Sequence, residues 1–435
     1  MKAILKGCKS NCNIEITIPG DKSISHRSLI IGAIPEGSYA IRNFSNSEDC
    51  RTTMEVMKVL GVSIVSRENQ IMVNSPGIHR FNKNVGMLDC GNSGTTARLI
   101  SGLICGGNIV ATLIGDESLS KRPMKRVVDP LTSMGGKVKS FKGTLPIKFI
   151  SNQGLSAIEY EMPVPSAQVK SAILIGGFLA KGKTKVIEKI STRNHTENLF
   201  KYLGAKVTQK GREISIENSS IQAKDIFVPG DPSSASFLVC AALLGDNIKL
   251  TIKDLLLNEG RKSYLNILIA MGGKIEVISK GIVNNEPIGD IIVYSSKLKG
   301  IKIQHDLVPS IIDEIPVLSV VAAFAEGTTV FEGVEELKFK ESNRISGIVR
   351  NLKVIDIEAI YNDKNLIIKG SNNVAEKLEE KNVEIETDND HRIAMAFSLL
   401  PMKLKTAITI DNWKCTEISF PKATTYFSKF INFIK

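Results

Sequence analysis

Basic side chains recur in Gly-, Ser- and Pro-rich turns of this sequence, and such turns are suited to binding anions. The basic residues of these turns are Lys22, Arg27, Arg98, Lys121, Arg122, Lys170, Arg193, Lys340, Arg344 and Arg392. Arginine binds a carboxylate or a phosphate through a two-pronged fork, whereas lysine acts as a point charge. A single arginine is usually a solvated surface residue, but this repeated association favours a site for small anionic molecules.

Six segments share one pattern, in which a polar turn is followed by an apolar helix rich in small residues. They begin at Pro19, Gly91, Pro163, Pro229, Pro309 and Asp388, and so recur about every 65–80 residues. Side chains suited to N-caps or first turns stand at these starts: Ser23, Ser25, Asn92, Ser93, Thr95, Ser166, Asp231, Ser233 and Asp388. Free backbone N–H groups and the positive dipole end of a helix attract anions. Six such starts that converge on one cleft would trap anionic substrates.

A second pattern alternates with the first and completes a repeating unit. Leu-Gly or Met-Gly ends a helix at Gly61, Gly135, Gly204 and Gly272, where glycine enters the left-handed conformation easily. Two strands of alternating polarity follow each of these glycines, as in a hairpin. The glycine is missing near Leu352, so that copy has diverged. The unit is therefore strand, helix, strand, helix and hairpin, and six units predict two domains of three.

Composition and charge narrow the class of protein. The chain has 435 residues, of which 43% are hydrophobic, and a formal net charge of +11. The charge is spread along the chain without a basic tail, which favours anionic metabolites over nucleic acid. No apolar run reaches the ~18 residues of a membrane span, and the first residues lack a signal-peptide pattern, so we expect a cytoplasmic protein. The seven cysteines are scattered, so we expect reduced thiols and no metal site.

Nine short segments carry a family resemblance, and they lie in the expected order over nearly the whole chain. They are PGDKSISHR (19–27), GNSGTTAR (91–98), GDESLSKRPM (115–124), PSAQVKSA (165–172), STRNHTE (191–197), PGDPSSA (229–235), IDEIP (312–316), KESNRI (340–345) and DNDHRIA (388–394). With these motifs the chain resembles the 3-phosphoshikimate 1-carboxyvinyltransferases, or EPSP synthases.

The resemblance implies an α/β fold of the enolpyruvyl transferase type. This fold is a two-domain, inside-out α/β barrel-like arrangement of six βαβαββ units, three per domain. One domain would comprise residues 21–227, and the other would comprise residues 1–20 plus 228–435, with a double hinge near residues 20 and 228. The six repeats found in the sequence agree with this fold.

The resemblance also implies a reaction. Members of this family transfer the enolpyruvyl group of phosphoenolpyruvate to the 5-hydroxyl of shikimate 3-phosphate and release phosphate, in the biosynthesis of chorismate and aromatic amino acids. This addition and elimination needs a base, an acid, and cations for the phosphates and carboxylates. No metal or other cofactor is required. The expected partners are the two small-molecule substrates, without nucleic acid or membrane, and we expect a monomer.

Site residues carry over from the matching motifs by position. Asp313 is expected to be the base and Glu341 the acid, with Lys22 as the alternative proton donor. The residues expected to bind shikimate 3-phosphate are Lys22, Ser23, Arg27, Ser166, Ala167, Gln168, Asp313 and Lys340, with Ala167 contributing only its backbone. Those expected to bind phosphoenolpyruvate are Lys22, Gly94, Arg122, Gln168, Arg344 and Arg392. Arg193 is expected near the phosphate.

Simpler interpretations remain open for some of these residues. Asp313 and Glu314 could cap the helix that follows them, and Glu341 could be a surface partner of Lys338 or Arg344. We expect His26 and His195 to be structural hydrogen-bonding residues. His391, beside Arg392 in a matching motif, could bind substrate or be structural.

Two alternative functions and two details of the motifs complete the prediction. The sister enzyme that acts on UDP-N-acetylglucosamine has the same fold but carries a cysteine in its mobile loop, where GDESLSKRP has none. A nucleic-acid-binding module is the alternative from another class.

Relatives with alanine at the position of Gly94 tolerate the inhibitor glyphosate, so we expect a sensitive enzyme. Many relatives carry a lysine before a Phe-Pro pair, whereas Glu417 and Ile418 precede Phe420 here.

Overall fold

The computed structural model describes residues 1–67, 70–371 and 382–434. The chain divides into two compact units. The central unit comprises residues 20–229 and 282–286, and the terminal unit comprises residues 1–19, 230–281 and 287–435. The double hinge near residues 20 and 228 stays a prediction.

Strands and helices are interspersed along the described ranges. The strands are β1 (Ala3–Cys8), β2 (Cys12–Thr17), β3 (Glu36–Arg42), β4 (Ser63–Arg67), β5 (Gln70–Pro76), β6 (Asn84–Asp89), β7 (Val110–Ile114), β8 (Lys137–Phe141), β9 (Thr144–Ile150), β10 (Glu159–Glu161), β11 (Lys183–Ile187), β12 (Val207–Lys210), β13 (Glu213–Glu217), β14 (Ile226–Phe227), β15 (Ile248–Leu256), β16 (Lys274–Val283), β17 (Glu286–Tyr294), β18 (Lys302–Ile303), β19 (Thr328–Phe331), β20 (Glu358–Asn362), β21 (Asn365–Lys369), β22 (Val383–Ile385), β23 (Ile408–Ile410) and β24 (Ile431–Ile434). The α-helices are α1 (Lys22–Ile30), α2 (Glu48–Val59), α3 (Gly94–Gly106), α4 (Glu117–Ser120), α5 (Lys125–Ser133), α6 (Ala167–Leu179), α7 (His195–Leu203), α8 (Pro232–Leu244), α9 (Glu259–Ala270), α10 (Val308–Ile311), α11 (Ile315–Ala323), α12 (Arg344–Val354), α13 (His391–Phe397) and α14 (Ala423–Phe427). Short 3₁₀ segments lie at Ile78–Arg80, His305–Leu307, Glu335–Phe339, Leu400–Met402 and Lys414–Ile418.

The strands form six four-stranded sheets that share one plan, which confirms the predicted α/β fold of six units. The sheets of the central unit have the orders β14-β3-β5-β4, β6-β7-β9-β8 and β10-β11-β13-β12. Those of the terminal unit have the orders β2-β15-β17-β16, β18-β19-β21-β20 and β22-β23-β1-β24. In each sheet two neighbouring parallel strands are followed by antiparallel ones.

Three of the sheets are completed by a strand from a distant part of the chain, one of them by β2, which pairs in parallel with β15. β14 pairs in parallel with β3. The last strand of the central unit therefore completes the sheet of its first repeat, which begins with α1. β1 pairs antiparallel with β23 and β24, so the N-terminal strand completes the last sheet of the terminal unit. In both units, therefore, a strand from one end of the sequence completes the sheet of a repeat from the other end.

The α-helix that precedes the second parallel strand of each sheet is largely buried. Every residue of α8 and of α11 is buried, as expected for helices that are apolar on all sides. Five of the six predicted polar starts provide a side-chain cap: Asp21, Ser93, Ser166, Asp231 and Asp390 each accept a hydrogen bond from a backbone N–H of the following helix. Asp390, and not Asp388, caps α13. No helix in the described ranges is long and apolar enough to cross a membrane.

The turns after the second helix of each unit show how local geometry selects residue types. Gly61, Gly135, Gly204 and Gly272 all have positive φ angles, between 94° and 109°, as predicted from the Leu-Gly and Met-Gly pairs. In the copy that lacks this glycine, Asp356 takes the left-handed conformation with φ of 56°. Aspartate tolerates this region better than most residues, so the divergent unit keeps the same turn.

Candidate active site

In the terminal unit, one carboxylate is surrounded by three basic side chains. Asp313 Oδ1 lies 3.6 Å from Arg344 Nη1, 3.9 Å from Lys340 Nζ and 3.9 Å from Arg392 Nε. Arg392 Nη1 also donates to the backbone oxygen of Asp313, at 2.9 Å. The structure therefore brings together Asp313, Lys340, Arg344 and Arg392, which the sequence predicted as site residues. The Asp313 side chain is 18% exposed, so this carboxylate is accessible to a ligand.

Arg344 is the structural centre of this cluster. Its side chain is 1% exposed, and its Nε donates to Asp390 Oδ2 at 2.8 Å. Its Nη2 donates to Glu341 Oε2 at 2.5 Å. Burial opposes the charge of Arg344, but Asp390 and Glu341 outweigh burial and raise its pKa above the ordinary value. Its Nη1 makes no hydrogen bond among the residues that the structure describes, so this donor is available to an anion.

Helix starts position these side chains. Arg344 is the first residue of α12, which is capped by Asn343 through the N–H of Ser346. Asp390 caps α13 by accepting from the N–H of Arg392, and it also receives the guanidinium of Arg344. Burial opposes ionisation of Asp390, but the charge of Arg344 prevails and lowers its pKa below the usual range. One buried carboxylate thus caps one helix and orients the first side chain of another.

In the central unit, α1 presents the first predicted cation. Lys22 Nζ pairs with Asp49 Oδ2 at 2.9 Å, and the two side chains are 19% and 12% exposed. Ser23 follows on the same turn, and its backbone oxygen accepts from Arg27 Nη1 at 2.8 Å. The partly exposed amine of Lys22 remains close to solvent, as a ligand-binding cation must.

Arg27 is held by protein oxygens within the central unit. Its Nε donates to Thr196 Oγ1 at 2.8 Å, and its Nη2 donates to Ser171 Oγ at 2.7 Å. Burial, together with the charge of Arg193, lowers its pKa to about 10, although Glu197 and Asp21 oppose this effect. Arg27 therefore joins α1 to α6 and α7, and each terminal nitrogen retains one further N–H.

The turn before α3 gathers several predicted residues. Gln168 donates from Nε2 to Thr95 Oγ1 at 2.9 Å and accepts from Arg98 Nη1 at 2.5 Å. A β-carbon placed on Gly94 would lie 2.9 Å from Arg98 Nη1 and 3.3 Å from Arg122 Nη1. Gly94, Arg122 and Gln168, all predicted for the phosphoenolpyruvate site, therefore lie close together. Two guanidinium groups beside a helix start can bind one small anion.

The start of α6 provides the remaining predicted contacts. Ser166 caps the helix by accepting from the N–H of Val169 at 3.4 Å, so its own hydrogen can still be donated. Ala167 is the first helical residue and is partly exposed. Arg193 lies just before α7 and is partly exposed. These residues stand where a ligand could reach them.

Lys170 differs from the other basic residues of the turns. Its Nζ lies 3.0 Å from Glu188 Oε2 and 2.7 Å from Glu197 Oε1, and its side chain is 1% exposed. Glu188 Oε1 in turn accepts from the N–H of Thr192 at 3.0 Å. Lys170 therefore joins α6 to α7 and to the segment before α7, and the prediction that it belongs with the anion-binding cations is wrong.

Sequence reasoning missed the partners of the predicted cations. Asp49 and Asp390 hold Lys22 and Arg344, but each is far from its partner along the chain, so no local pattern could have shown the pairing. Asn92 accepts from Arg122 Nη2 at 2.8 Å. The sequence shows Arg98 as a cation in a turn, and its positions beside Gln168 and Gly94 indicate a place in the site.

The two histidines predicted to be structural are confirmed as buried hydrogen-bonding residues. His26 Nδ1 lies 2.6 Å from Thr53 Oγ1. His195 Nδ1 lies 2.8 Å from Glu286 Oε1, and both side chains are almost fully buried. His391 is also buried, and its role stays open between binding and structure.

Six sheets of one plan, with carboxylates placed among arginine and lysine side chains, define a two-domain α/β enzyme of the enolpyruvyl transferase type. A family model described as EPSP synthase (3-phosphoshikimate 1-carboxyvinyltransferase) matches residues 8–426. The chain belongs to the EPSP synthase family.

Individual relatives agree with this membership. The chain is 48% identical, over 426 residues, to the 3-phosphoshikimate 1-carboxyvinyltransferase of Clostridium tetani, with 98% of this chain and 96% of that protein covered. It is 42% identical to the protein of the same name from Petrotoga mobilis, with 96% and 97% covered. Among solved structures, EPSP synthase from Acinetobacter baumannii matches with a TM-score of 0.87 and 35% identity, and both chains are covered completely.

Proposed function

We propose that this chain transfers the enolpyruvyl group of phosphoenolpyruvate to the 5-hydroxyl of shikimate 3-phosphate and releases phosphate. The observation that carries the proposal is the position of Asp313, a partly exposed carboxylate among Lys340, Arg344 and Arg392. The matching relatives carry the name of this activity. Both substrates are multiply charged anions, which explains why a site for them needs so many cations.

Asp313 is proposed as the base. The hydroxyl oxygen of shikimate 3-phosphate attacks C2 of phosphoenolpyruvate, and its proton passes to a carboxylate within hydrogen-bond reach. Three neighbouring cations suit a carboxylate that must be ionised before this step. They also stabilise the negative charge of the substrates as the new C–O bond forms.

Glu341 is proposed as the acid that gives a proton to C3. Its carboxyl is 28% exposed and contacts Arg344, which favours the ionised form and opposes this role. The negative charge of bound phosphoenolpyruvate supplies the opposite influence and favours a protonated carboxyl. Lys22, already charged, is the alternative donor. The tetrahedral intermediate then loses phosphate as the C3 proton is removed again, which leaves the enol ether.

Each substrate is assigned binding residues from both units. We propose that shikimate 3-phosphate contacts Lys22, Ser23, Arg27, Ser166, Ala167, Gln168, Asp313 and Lys340. We propose that phosphoenolpyruvate contacts Lys22, Gly94, Arg122, Gln168, Arg344 and Arg392. The unbonded Nη1 of Arg344 supports this role, because a buried guanidinium N–H needs an acceptor. Arg27 contributes its charge and its remaining N–H groups.

Phosphate release tests the proposal. Purified protein is incubated with phosphoenolpyruvate and shikimate 3-phosphate together, and with each alone, without metal or nucleotide. Phosphate released only from the pair supports the proposal. Equal release with UDP-N-acetylglucosamine in place of shikimate 3-phosphate would assign the chain to the sister activity instead.

The monomeric state and the cytoplasmic location stay predictions from the sequence. Light scattering on the purified protein measures the molar mass in solution and tests the first of them.

A further inference from the structure

A histidine and three hydroxyl groups form a continuous chain of hydrogen bonds in the central unit. His26 Nδ1 lies 2.6 Å from Thr53 Oγ1, which lies 2.6 Å from Thr96 Oγ1. Thr96 Oγ1 lies 2.7 Å from Ser93 Oγ. All four side chains are fully buried. The chain leads from α1 through α2 to the N-cap of α3, whose first residue is Gly94.

The same two helices are joined by a second contact one turn away. Lys22 and His26 are four residues apart on α1, and their partners Asp49 and Thr53 are four residues apart on α2. Residues with this spacing lie on one face of a helix. The hydrogen bond of His26 therefore runs beside the ion pair of Lys22, and α2 holds both at a fixed separation.

The hydrogen bonds that link His26 to Ser93 have one favoured direction from donor to acceptor. If His26 donates from Nδ1, then Thr53 donates to Thr96, and Thr96 donates to Ser93. In the opposite direction His26 would carry its hydrogen on Nε2, which is buried and has no partner in the part of the chain that the structure describes. An unpaired buried N–H is rarer than an unpaired acceptor, so His26 is the donor.

Two further observations agree with this direction. Burial, helped by the charges of Lys22 and Arg27 and opposed by Asp21, moves the pKa of His26 well below its usual value, so the ring is neutral. The competing acceptor for both threonine hydroxyls is the backbone oxygen of Asp49, which is more distant at 3.4 and 3.5 Å.

Neighbouring residues hold the start of α3 from two sides. Thr95 accepts from Gln168 on α6, whereas Thr96 contacts Thr53 on α2. Gly94 stands just before these two threonines, so their contacts restrain its backbone. A glycine turn that binds an anion through backbone N–H groups depends on this placement.

We propose that His26 is a positioning residue, which acts through Thr53 and Thr96 to fix the Gly94 turn relative to Lys22 for phosphoenolpyruvate. This inference rests on the proposed function, because it assigns the turn to that substrate. Both His26 and Thr53 are fully buried, so the proposed role needs no contact between them and substrate. Their loss raises the KM for phosphoenolpyruvate and affects the KM for shikimate 3-phosphate less.

Matched variants at Thr53 and His26 test the inference on the full chain. Thr53→Val removes the hydroxyl at nearly constant shape, and Thr53→Ser restores it. His26→Leu removes the donor, whereas His26→Asn can place an amide N–H near the position of Nδ1. KM for each substrate, kcat and Tm are measured for the four variants and the wild type. Thr53→Val and His26→Leu are expected to raise the KM for phosphoenolpyruvate about tenfold, and Thr53→Ser and His26→Asn to stay within about threefold of wild type.

Each outcome decides one question. A lower Tm with unchanged KM values would overturn the inference, because the chain of hydrogen bonds would then serve stability alone. An equal rise of both KM values would also overturn it, since the effect would not be specific to the turn. A wild-type enzyme that releases no phosphate would overturn the proposed function and this inference together. If His26→Leu does not fold, the Thr53 pair alone decides.

Discussion

Each unit buries a basic side chain among carboxylates, but the two clusters differ in what they expose. In the central unit, Lys170 and both of its partners, Glu188 and Glu197, are at most 2% exposed. In the terminal unit, Arg344 is equally buried, but Glu341 is 28% and Asp313 18% exposed. The first cluster is closed on all sides, whereas the second opens toward solvent on one side.

This difference separates a structural ion cluster from a reactive one. A closed cluster uses its charges to hold elements together, and a ligand cannot reach them. An open cluster keeps a carboxylate near cations while its remaining oxygens can accept a proton from a substrate. Burial of the cation alone therefore does not distinguish the two, and the exposure of the carboxylates does.

The largest effect is expected when the closed cluster is broken. Lys170→Met leaves Glu188 and Glu197 buried without their cation, and removing one partner of a buried ion pair costs about 3–5 kcal/mol. Urea unfolding should show this loss. Lys58→Met is the matched control, because Lys58 pairs with Glu55 at the surface, and surface pairs contribute roughly 0–1 kcal/mol. Similar stabilities for the two variants would contradict the structural role of Lys170.

The open cluster should respond in rate and not in stability. Asp313→Asn and Glu341→Gln preserve shape but remove the proposed base and acid. Each is expected to lower kcat at least ~100-fold, the low end for acid–base catalysis, with substrate affinity within about tenfold. Steady-state kinetics and Tm are measured on the same preparations. A destabilised variant with near-normal turnover would end the catalytic assignment of that residue.

A third effect concerns the imidazole of His26, which is buried in the hydrogen-bond network that it forms with Thr53, Thr96 and Ser93. Its pKa is lowered in the folded protein, so below about pH 6.5 the unfolded chain binds a proton that the folded chain does not. Stability is therefore complete above that pH and falls by at most about 1.4 kcal/mol per pH unit below it. His26→Asn lacks this titration. Denaturant unfolding from pH 7 to pH 5 should show a steeper loss for the wild type, and parallel curves would contradict it.

The smallest effect is expected at the Gly94 turn. In Gly94→Ala the new methyl group lies near the ends of Arg98 and Arg122, and overpacking of this kind costs about 1–3 kcal/mol. Because arginine ends are mobile, we expect the low end, a rise of roughly fivefold in the KM for phosphoenolpyruvate. Inhibition by glyphosate should weaken more than this. A wild-type enzyme unaffected by millimolar glyphosate would contradict the interpretation of the turn.

The repeats, the helix starts and the left-handed glycines could all be predicted from the sequence. These features depend on residues close together in the chain, such as Met271 before Gly272 or Ser93 before α3. The family motifs added the site residues. Helix starts and glycine turns depend on neighbouring residues, which explains why the predicted helix positions agree with the structure.

The partners of buried charges could not be predicted in this way. Glu188 and Glu197 hold Lys170, and Thr196 holds Arg27, because the fold places α1, α6, α7 and the segment before α7 together. Such pairs are set by tertiary packing, and no spacing in the sequence shows them. For the same reason the sequence pattern groups Lys170 with the ligand-binding cations, although its side chain is buried between two carboxylates.

The turn between β16 and β17 has a consequence for how this gene could be divided. Both strands belong to a terminal sheet, yet residues 282–286 belong to the central unit, where Glu286 pairs with buried His195. Asn284 also donates to the backbone oxygen of Phe227. A polypeptide limited to residues 20–229 would thus contain the strands of three complete sheets. It would lack Glu286, the carboxylate that pairs with the buried imidazole of His195. Any division of the gene between the two units therefore separates His195 from Glu286 unless the pentapeptide 282–286 stays with the central repeats.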